Sequence, residues 1–323
     1  MFKKPISEVL EHLKTRAREL KGDTQRVTLG LSGGVDSMVV AAIFCEALLP
    51  GNVVTVFRDI RSNPIHLEHA RAITKALRCI FIPFDLNLVY DIIVSQMKRN
   101  FEDNGLPWHD EGTPGANELG ITDALVGLKS CLTVPVLDST SKAASNGNGR
   151  IVGTGNAEED GLVRYYSKRG DGAVDNNILD GLTKMEVRQL ALYFAELYDA
   201  DIFRVVAHKL PSADLKGTGD THNDESELTS WARKQGLSID ITYGDCETEG
   251  NLAWAVKTDL DIGVITGDNA DKDSKWLSEH LEYDSAQIQI IMFCRKQEKD
   301  THHKVAPPPG FSRPELRELG LVD

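Results

Sequence analysis

Residues 26–37, Arg-Val-Thr-Leu-Gly-Leu-Ser-Gly-Gly-Val-Asp-Ser, decide how the rest of this sequence is interpreted. Apolar residues alternate with small or polar ones as far as Leu31, which predicts a short buried strand. The Ser-Gly-Gly turn at 32–34 has no bulky side chain, so its backbone N–H groups can approach an anion closely. The apolar run from Val35 to Leu49 predicts a helix, whose N-terminus favours phosphate through free N–H groups and the helix dipole. We therefore predict a phosphate-binding loop.

The polar side chains of this loop suit a polyphosphate and its metal ion. Ser32 and Ser37 offer hydroxyl donors, and Asp36 offers a carboxylate that could hold the magnesium brought by a nucleotide. The spacing matches neither the G-x-x-x-x-G-K-[ST] of a P-loop nor the G-x-G-x-x-G of a dinucleotide fold. The alternative is a strand, turn and helix without a ligand, but this turn lies where α/β sheets bind their ligands.

Composition excludes several classes of protein. The chain has 323 residues and a net charge of −13, which disfavours a general nucleic-acid or membrane-surface binder because anionic polymers would be repelled. No apolar run approaches the roughly 20 residues of a membrane helix, and Met1 is not followed by the apolar core of a signal peptide. The five cysteines are scattered, without a C-x-x-C pair, which indicates a reducing compartment. We expect a cytoplasmic protein.

Strand and helix patterns alternate along the first two thirds of the chain. Strands separated by helices form parallel sheets with right-handed crossovers, so we predict an α/β fold with a doubly wound parallel sheet in a single domain, 1–323. Strands are predicted at 26–31, 53–57, 79–82 and 151–152, and helices at 6–20, 35–49, 65–77, 86–101, 121–132 and 182–198. Thr183 and Glu186 predict a capping box for the last of these helices. Loops are predicted at 102–120 and 138–150.

The pattern is weaker beyond Pro211. Residues 216–227 are polar and acidic and predict a loop. Helices are expected at 227–235 and 274–281, and a strand at 288–293. A short surface helix or tail is expected at 312–323.

Three further stretches carry residues suited to a polyanion and its metal. Thr154 follows a predicted strand and can hydrogen-bond a nucleotide, and Glu159 can share a magnesium ion with Asp36. An ordinary helix N-terminus with acids that complement the dipole is the alternative. Lys184 lies in the first turn of a helix, where the dipole disfavours a cation unless it faces an anion. Ser212 is a candidate phosphate donor, although an isolated S-x-D is often only a helix start.

The order of these motifs resembles that of the NAD synthetases, within the N-type ATP pyrophosphatases. S-G-G-x-D-S, G-T-x-N-x-x-E, G-D-G-x-x-D, Gly-Leu-Thr-Lys-x-x-x-Arg, P-S-A-D-L and a late His-Lys-x-x-Pro-Pro follow one another over about residues 5–310. The resemblance implies a three-layer, flavodoxin-like α/β fold and a homodimer. It also implies that the chain uses ATP and Mg²⁺ to convert deamido-NAD into NAD through an adenylated carboxylate, releasing AMP and pyrophosphate.

The resemblance also implies roles for individual residues. Asp36, Lys184 and Ser212 would be catalytic, and Asp36 with Glu159 would hold the metal. Lys168, Asp171, Asp175, His303 and Lys304 match positions near the acid dinucleotide. The positions that would bind ATP are Ser32, Gly33, Gly34, Asp36, Ser37, Thr154, Lys184 and Ser212, and we add Arg58 to this group.

Two departures leave the acceptor acid open. Asn117–Ala124 is the best equivalent of a family helix with two arginines, but Ile121 and Asp123 stand at the arginine positions. The second departure is an insertion at about 236–280, which is longer than the usual tail of the fold. Candidates to supply the missing charge are Arg58, Arg61, Lys129 and this insertion. An adenylating ligase for another carboxylic acid and a catalytically silent nucleotide-binding protein therefore remain as alternatives.

The expected nitrogen donor is free ammonia, or ammonia supplied by a separate partner. Glutamine-using relatives carry an additional domain before the synthetase, whereas 25 residues precede the first predicted strand here.

Overall fold

The computed structural model describes residues 2–108, 118–212, 223–258, 269, 271–304 and 311–323. Residues 216–222 of the loop predicted at 216–227 and the run at 307–310 lie outside these residues, as do Asn117 and the side chains of Ile121 and His303. The end of that predicted loop is wrong, because a capped helix begins at Asp224.

A five-stranded parallel sheet forms the centre of the fold. Its order is β3-β2-β1-β4-β5, so the direction of strand addition reverses between β1 and β4. Ligands of open α/β sheets bind at the carboxyl ends of strands beside such a reversal. The strands are β1 (Val27–Gly30), β2 (Val53–Asp59), β3 (Ile80–Asp85), β4 (Arg150–Gly153) and β5 (Asn176–Asn177).

Helices cover both faces of the sheet, which confirms the predicted three-layer α/β architecture. One layer joins α1 (Ile6–Lys21), α2 (Val35–Ala47), α3 (Pro64–Leu77), α6 (Lys184–Leu197) and α7 (Asp201–Ala207). The other contains α4 (Asn87–Asp103) and α5 (Glu118–Ala144). The remaining helices are α8 (Asp224–Lys234), α9 (Asn251–Lys257), α10 (Ser274–His280), α11 (Ser285–Thr301) and α12 (Arg313–Glu318), with a π-helical turn at Ala157–Leu162.

The main hydrophobic core lies between the sheet and the α2 layer. Val27, Leu29 and Leu31 are fully buried, and α2 is buried almost all round because it packs against α1, α3 and α6. A helix that is apolar on every side belongs at the centre of a layer. The predicted strand–loop–helix therefore forms the centre of the fold.

A second hydrophobic cluster takes most of its side chains from beyond residue 223. It joins apolar side chains of α8, α9, α10 and α11 with the π-helical turn. The strand predicted at 288–293 is wrong, because these residues belong to α11. Asp284 and Gln287 form a capping box there, and Ile288, Ile291 and Cys294 recur every three residues on the buried side.

Two other predictions need correction. The loop predicted at 138–150 begins too early, because α5 continues through Pro135 to Ala144 and buries Leu137 and Ser141. The C-terminal segment is not confined to the surface, since Leu316, Leu321 and Val322 pack in the main core.

Candidate active site

A cavity of about 270 Å³ opens at the carboxyl ends of β1 and β4. It therefore lies at the reversal of strand order, where such sheets bind ligands. Ten of the residues singled out in the sequence line it: Ser32, Gly34, Asp36, Ser37, Arg58, Thr154, Glu159, Asp171, Lys184 and Ser212.

The serine hydroxyls hold the glycine loop in shape. Ser32 Oγ accepts a hydrogen bond from Gly34 N at 3.2 Å and lies 3.1 Å from Ser37 Oγ. Ser37 Oγ in turn donates to Gly34 O at 3.2 Å. The bend is thus fixed by its own side chains at the N-terminus of α2, where N–H groups favour an anion.

Gly33 requires glycine for two independent reasons. Its φ of +81° lies in the left-handed region, and a Cβ at this position would lie 2.5 Å from the backbone oxygen of His66. The bend therefore packs directly on the start of α3.

Lys184 brings two predicted metal ligands together. Its Nζ lies 2.7 Å from Asp36 Oδ2 and 2.5 Å from Glu159 Oε1, and the side chain is only 2% exposed. Burial alone would lower the pKa of Lys184, but the attraction of the two carboxylates outweighs it and raises that pKa. The ammonium of Lys184 therefore remains charged. It faces two carboxylates, as predicted for a cation in the first turn of a helix.

The π-helical turn fixes the position of Glu159. Asn156 Oδ1 accepts hydrogen bonds from the backbone N–H groups of Glu158 and Glu159, at 3.1 and 3.0 Å, while Asn156 Nδ2 donates to Asp36 Oδ1 at 3.0 Å. The adjacent Glu158 is fully buried and accepts from the backbone N–H of Lys184. Burial raises the pKa of Glu158 to about 8.

The donor set at this place fits a divalent cation that also binds phosphate. Asp36 of α2 and Glu159 of the π-helical turn both contact one cationic atom, Lys184 Nζ. Among the described residues no group of three or more His, Cys, Asp or Glu side chains is arranged to hold a metal ion, so protein side chains alone supply at most part of a shell. Mg²⁺ commonly takes one or two carboxylates and completes its shell with phosphate oxygens and water.

A second group of charges lies around Asp171. Ser130 Oγ donates to Asp171 Oδ1 at 2.8 Å, joining α5 to the loop before β5. Arg58 packs its guanidinium over Gly30, and a Cβ on Gly30 would lie 2.2 Å from Arg58 Nη1. Burial lowers the pKa of Arg58 to about 10, although Asp171 acts in the opposite direction.

Among the described residues, the other predicted acceptor-binding side chains, Lys168, Asp175 and Lys304, are not part of the cavity lining. Lys168 is exposed, and the exposed Asp175 accepts a hydrogen bond from the backbone N–H of Ile151 at 2.7 Å. Lys304 Nζ donates to the backbone oxygen of Arg164 at 2.8 Å and lies 5.2 Å from the centre of the Tyr166 ring. His303 lies outside the description of side chains.

Helix α5 carries the position compared with a family arginine, Asp123, but the residues of α5 that line the cavity lie further along the chain. Asp123 on α5 is exposed, whereas Lys129, Ser130 and Thr133 of the same helix line the cavity. The lysine is 8% exposed. Of the three named compensating residues, Arg58 and Lys129 line the cavity, while Arg61 pairs with Asp91.

The sequence reasoning missed two basic side chains and an aromatic ring near the loop. Lys209 Nζ lies 3.3 Å from His66 Nδ1, and both residues line the cavity. Tyr243 is fully buried, with its ring centre 5.4 Å from Lys184 Nζ. A signal was present for Lys209, which comes two residues before the Pro-Ser-Ala-Asp-Leu motif, but none marked His66 or Tyr243.

The described helices include none that is both long and apolar enough to cross a membrane.

Comparison with known proteins gives one consistent family. The family model described as NAD synthase matches residues 6–106 and 140–233. An NH(3)-dependent NAD(+) synthetase from Carboxydothermus hydrogenoformans is 30% identical over 227 residues, which is 70% of this chain and 81% of the relative.

Solved structures with this fold extend over almost the whole chain. An NMN synthetase from Francisella tularensis has a TM-score of 0.63 at 18% identity, covering 96% of this chain and 100% of its own. An NH3-dependent NAD synthetase from Campylobacter jejuni, solved with a nitrate ion, has a TM-score of 0.55 at 18% identity, covering 94% and 98%. At such identities the likeness establishes the fold.

Proposed function

The chain belongs to the NAD synthase family, and on this premise we propose that it is an ammonia-dependent NAD synthetase, a ligase that amidates deamido-NAD at the expense of ATP. The observation that carries the proposal is the position of Lys184, held between Asp36 and Glu159 beside the glycine loop. A buried cation that lies between two carboxylates and beside an anion-binding bend suits a nucleoside triphosphate and its metal counter-ion.

The proposed reaction has two steps. A carboxylate oxygen of the acceptor attacks the α-phosphorus of ATP and the bond to the β-phosphate oxygen breaks, giving an acyl-adenylate and pyrophosphate. Ammonia then attacks the acyl carbon, the bond to AMP breaks, and the amide forms with loss of a proton. Neither step needs a protein nucleophile, so the work of the chain is positioning and charge neutralisation.

Lys184 and the loop serve the first step. Pyrophosphate leaves with growing negative charge, which Lys184 Nζ and the N–H groups at the start of α2 can neutralise. Asp36 and Glu159 would hold Mg²⁺, which supplies Lewis-acid stabilisation of phosphate charge. Ser212 and Thr154, at the cavity wall, can donate hydrogen bonds to phosphate and nucleoside.

The acceptor is proposed to lie on the side of Arg58, Lys129 and Asp171. These residues come from three different elements and line the same cavity as the loop. Two basic side chains suit a substrate that carries phosphate. Lys168, Asp175, His303 and Lys304 are proposed as outer contacts, at positions given by the resemblance alone.

The proposed architecture is one domain with an insertion at about 236–280. Leu321 and Val322, near the C-terminus, pack in the same hydrophobic core as Val9 and Leu10 of α1, which supports a single folding unit.

We further propose a homodimer in the cytoplasm. Leu88, Val89 and Ile92 on α4 are 72%, 44% and 47% exposed, and neighbouring exposed apolar residues favour a contact with a second copy. All five cysteines are free, which is typical of a reducing compartment.

Turnover assays test the function directly. Purified chain is supplied with ATP, Mg²⁺ and ammonium, and pyrophosphate release is measured with deamido-NAD, nicotinate mononucleotide and a panel of unrelated carboxylic acids. We expect release with deamido-NAD, amide as the product, and none when glutamine replaces ammonium. Release with a different acid alone would contradict the proposed acceptor, and a chain that binds ATP yet turns over no acid would contradict the enzyme.

A further inference from the structure

We propose that Tyr243 is a positioning residue of this site, whose aromatic face holds the ammonium of Lys184 in place for the departing pyrophosphate. The inference rests on the proposed function. It gives a role in the site to one residue of the 236–280 insertion. Within the described residues, Tyr243 is the aromatic side chain recorded over the Lys184 ammonium.

The ring is a third neighbour of the ammonium, beside the two carboxylates. An ammonium group has three N–H donors. Asp36 Oδ2 and Glu159 Oε1 accept two of them, at 2.7 and 2.5 Å, and the ring centre of Tyr243 lies 5.4 Å from Nζ. A cation within about 6 Å of a ring centre is attracted by the negative π face. This attraction is stronger where water is absent, and Lys184 and Tyr243 are both buried here.

The ring, rather than the hydroxyl, is the group that the geometry points to. The Tyr243 hydroxyl oxygen is buried without a hydrogen-bond partner among the described residues. A buried hydroxyl of this kind costs stability instead of adding to it. Phenylalanine at this position would keep the ring and remove that cost.

The surrounding backbone holds the ring rigidly. Tyr243 N donates to Glu225 Oε1 at 2.7 Å, and the preceding Thr242 exchanges two hydrogen bonds with Asn251, at 3.0 and 3.1 Å. The loop closes where Gly250 has no Cβ, since one would lie 2.1 Å from the Thr242 oxygen. A ring carried on a backbone held by these contacts keeps its position when its partner changes, which is what positioning requires.

The role follows from what happens when phosphate competes for the lysine. Negative phosphate oxygens draw Nζ away from Asp36 and Glu159, and these contacts weaken. The π face needs no particular N–H direction, so the ring contact persists and limits where the ammonium moves. Loss of the ring should therefore lower kcat more than it raises KM for the acceptor acid.

The experiment compares the ring with its removal. Tyr243→Phe is expected to keep kcat for pyrophosphate release within twofold and not to lower the melting temperature. Tyr243→Leu is expected to lower kcat about tenfold, a loss in the range of a desolvated cation–π contact. Trp254→Leu is the matched control, because Trp254 packs in the same hydrophobic cluster against Tyr283. This control should lose stability but retain kcat.

A fluorinated ring separates electrostatics from packing, and remains informative if Tyr243→Leu fails to fold. Trifluorophenylalanine at 243 keeps the shape of the ring and weakens its negative face. We expect kcat to fall with the fluorine content at constant melting temperature. Equal kcat for the fluorinated and plain rings, or an equal loss in Tyr243→Phe and Tyr243→Leu, would overturn the inference.

Binding measurements separate this inference from the function itself. If wild type turns over no acid, the proposed function fails, and the inference is then read from affinity for a non-hydrolysable ATP analogue. Fluorination of the ring at 243 should weaken that affinity when Lys184 is present. In the Lys184→Met variant, the same fluorination should leave the affinity unchanged. Equal weakening in both backgrounds would overturn the role of the ring.

Discussion

Asp36 is the residue on which two parts of the proposed site depend. One carboxylate oxygen accepts from Lys184 and the other from Asn156, so the side chain joins α2 to the turn after β4. We expect Asp36→Ala to reduce pyrophosphate release by about 10²–10³-fold, comparable to the removal of one electrostatic group from a preorganised site. The measurement is the rate at saturating ATP over a range of Mg²⁺ concentrations.

Asp36→Asn is the control for structure, because an amide oxygen can still accept from Asn156. Its side chain has the volume of aspartate but no charge for Lys184, so it should destabilise the protein less than the alanine variant and remain as inactive. Near-normal activity in either variant would remove the proposed metal and charge role of Asp36.

Gly30 provides a second test, through its contact with Arg58. An alanine Cβ would meet the far end of a flexible guanidinium, so we expect Gly30→Ala to displace Arg58 and leave β1 in place. KM for a phosphate-bearing substrate should rise about tenfold, the cost of one charge-assisted contact.

Steady-state kinetics in the Arg58→Ala background check this interpretation of Gly30. There, Gly30→Ala should add no further loss, because the displaced side chain is already absent. If the increases in KM from the two substitutions multiply, Gly30→Ala acts by distorting β1 and not by displacing Arg58.

The residues of the site that the sequence could indicate are those that lie close together along the chain. Ser32 to Ser37 span the glycine bend and the first turn of α2, and their spacing alone predicted an anion site, where the structure has a cavity. His66, Lys209 and Tyr243 come from three distant segments. Only the packed fold brings His66 and Lys209 to the cavity and Tyr243 to Lys184. No local pattern of residues could have revealed those contacts.

At the scale of elements, α6 and α12 depend on one buried ion pair. Arg313 Nη1 lies 2.7 Å from Glu186 Oε2, and the side chains are 3% and 0% exposed. We expect Arg313→Met to destabilise the protein by about 3–5 kcal/mol, because a buried carboxylate would lose its partner. Urea denaturation measures the change in the free energy of unfolding.

An exposed pair serves as the comparison for Arg313. Arg204 lies 3.3 Å from Asp201, and their side chains are 46% and 95% exposed. Arg204→Met should change the free energy of unfolding by less than about 1 kcal/mol. Similar costs for the two variants would mean that the tail does not stabilise α6.

The strands and helices were predictable where the apolar residues follow one clear spacing, that of a strand or that of a helix, and not elsewhere. The capping box at Thr183 and Glu186 is local, and the structure confirms it. In α11 the run from Ile288 to Phe293 is rich in β-branched and apolar residues, so its composition resembles a strand although its buried positions recur as in a helix. In α5, the stretch at 138–150, rich in Ser, Asn and Gly, suggested a loop, whereas packing on the sheet maintains the helix to Ala144.

For the whole molecule, a buried carboxyl predicts how stability varies with pH. Burial, assisted by Glu315, raises the pKa of Asp180 to about 7. Between the unfolded value of about 4 and that value, the folded state keeps a proton that the unfolded state releases. Stability should therefore fall as pH rises through this range, by at most ~4 kcal/mol.

Asp180→Asn should make the melting temperature less dependent on pH between 5 and 8, because an amide does not titrate. Melting curves at pH 5, 6, 7 and 8 for wild type and variant measure the slope. Identical slopes would show that Asp180 does not contribute.

Assembly is the remaining property of the whole molecule, and α4 offers the surface to test. Leu88 and Ile92 lie four residues apart on one side of the helix and are 72% and 47% exposed. If this side is the dimer contact, a charge at both positions must be desolvated on association, so Leu88→Glu/Ile92→Glu should sediment as a monomer while wild type sediments as a dimer. Leu197→Glu, at the end of α6 and 49% exposed, is the control that should remain dimeric. A monomeric wild type would contradict the proposed assembly, and a dimeric double variant would place the contact elsewhere.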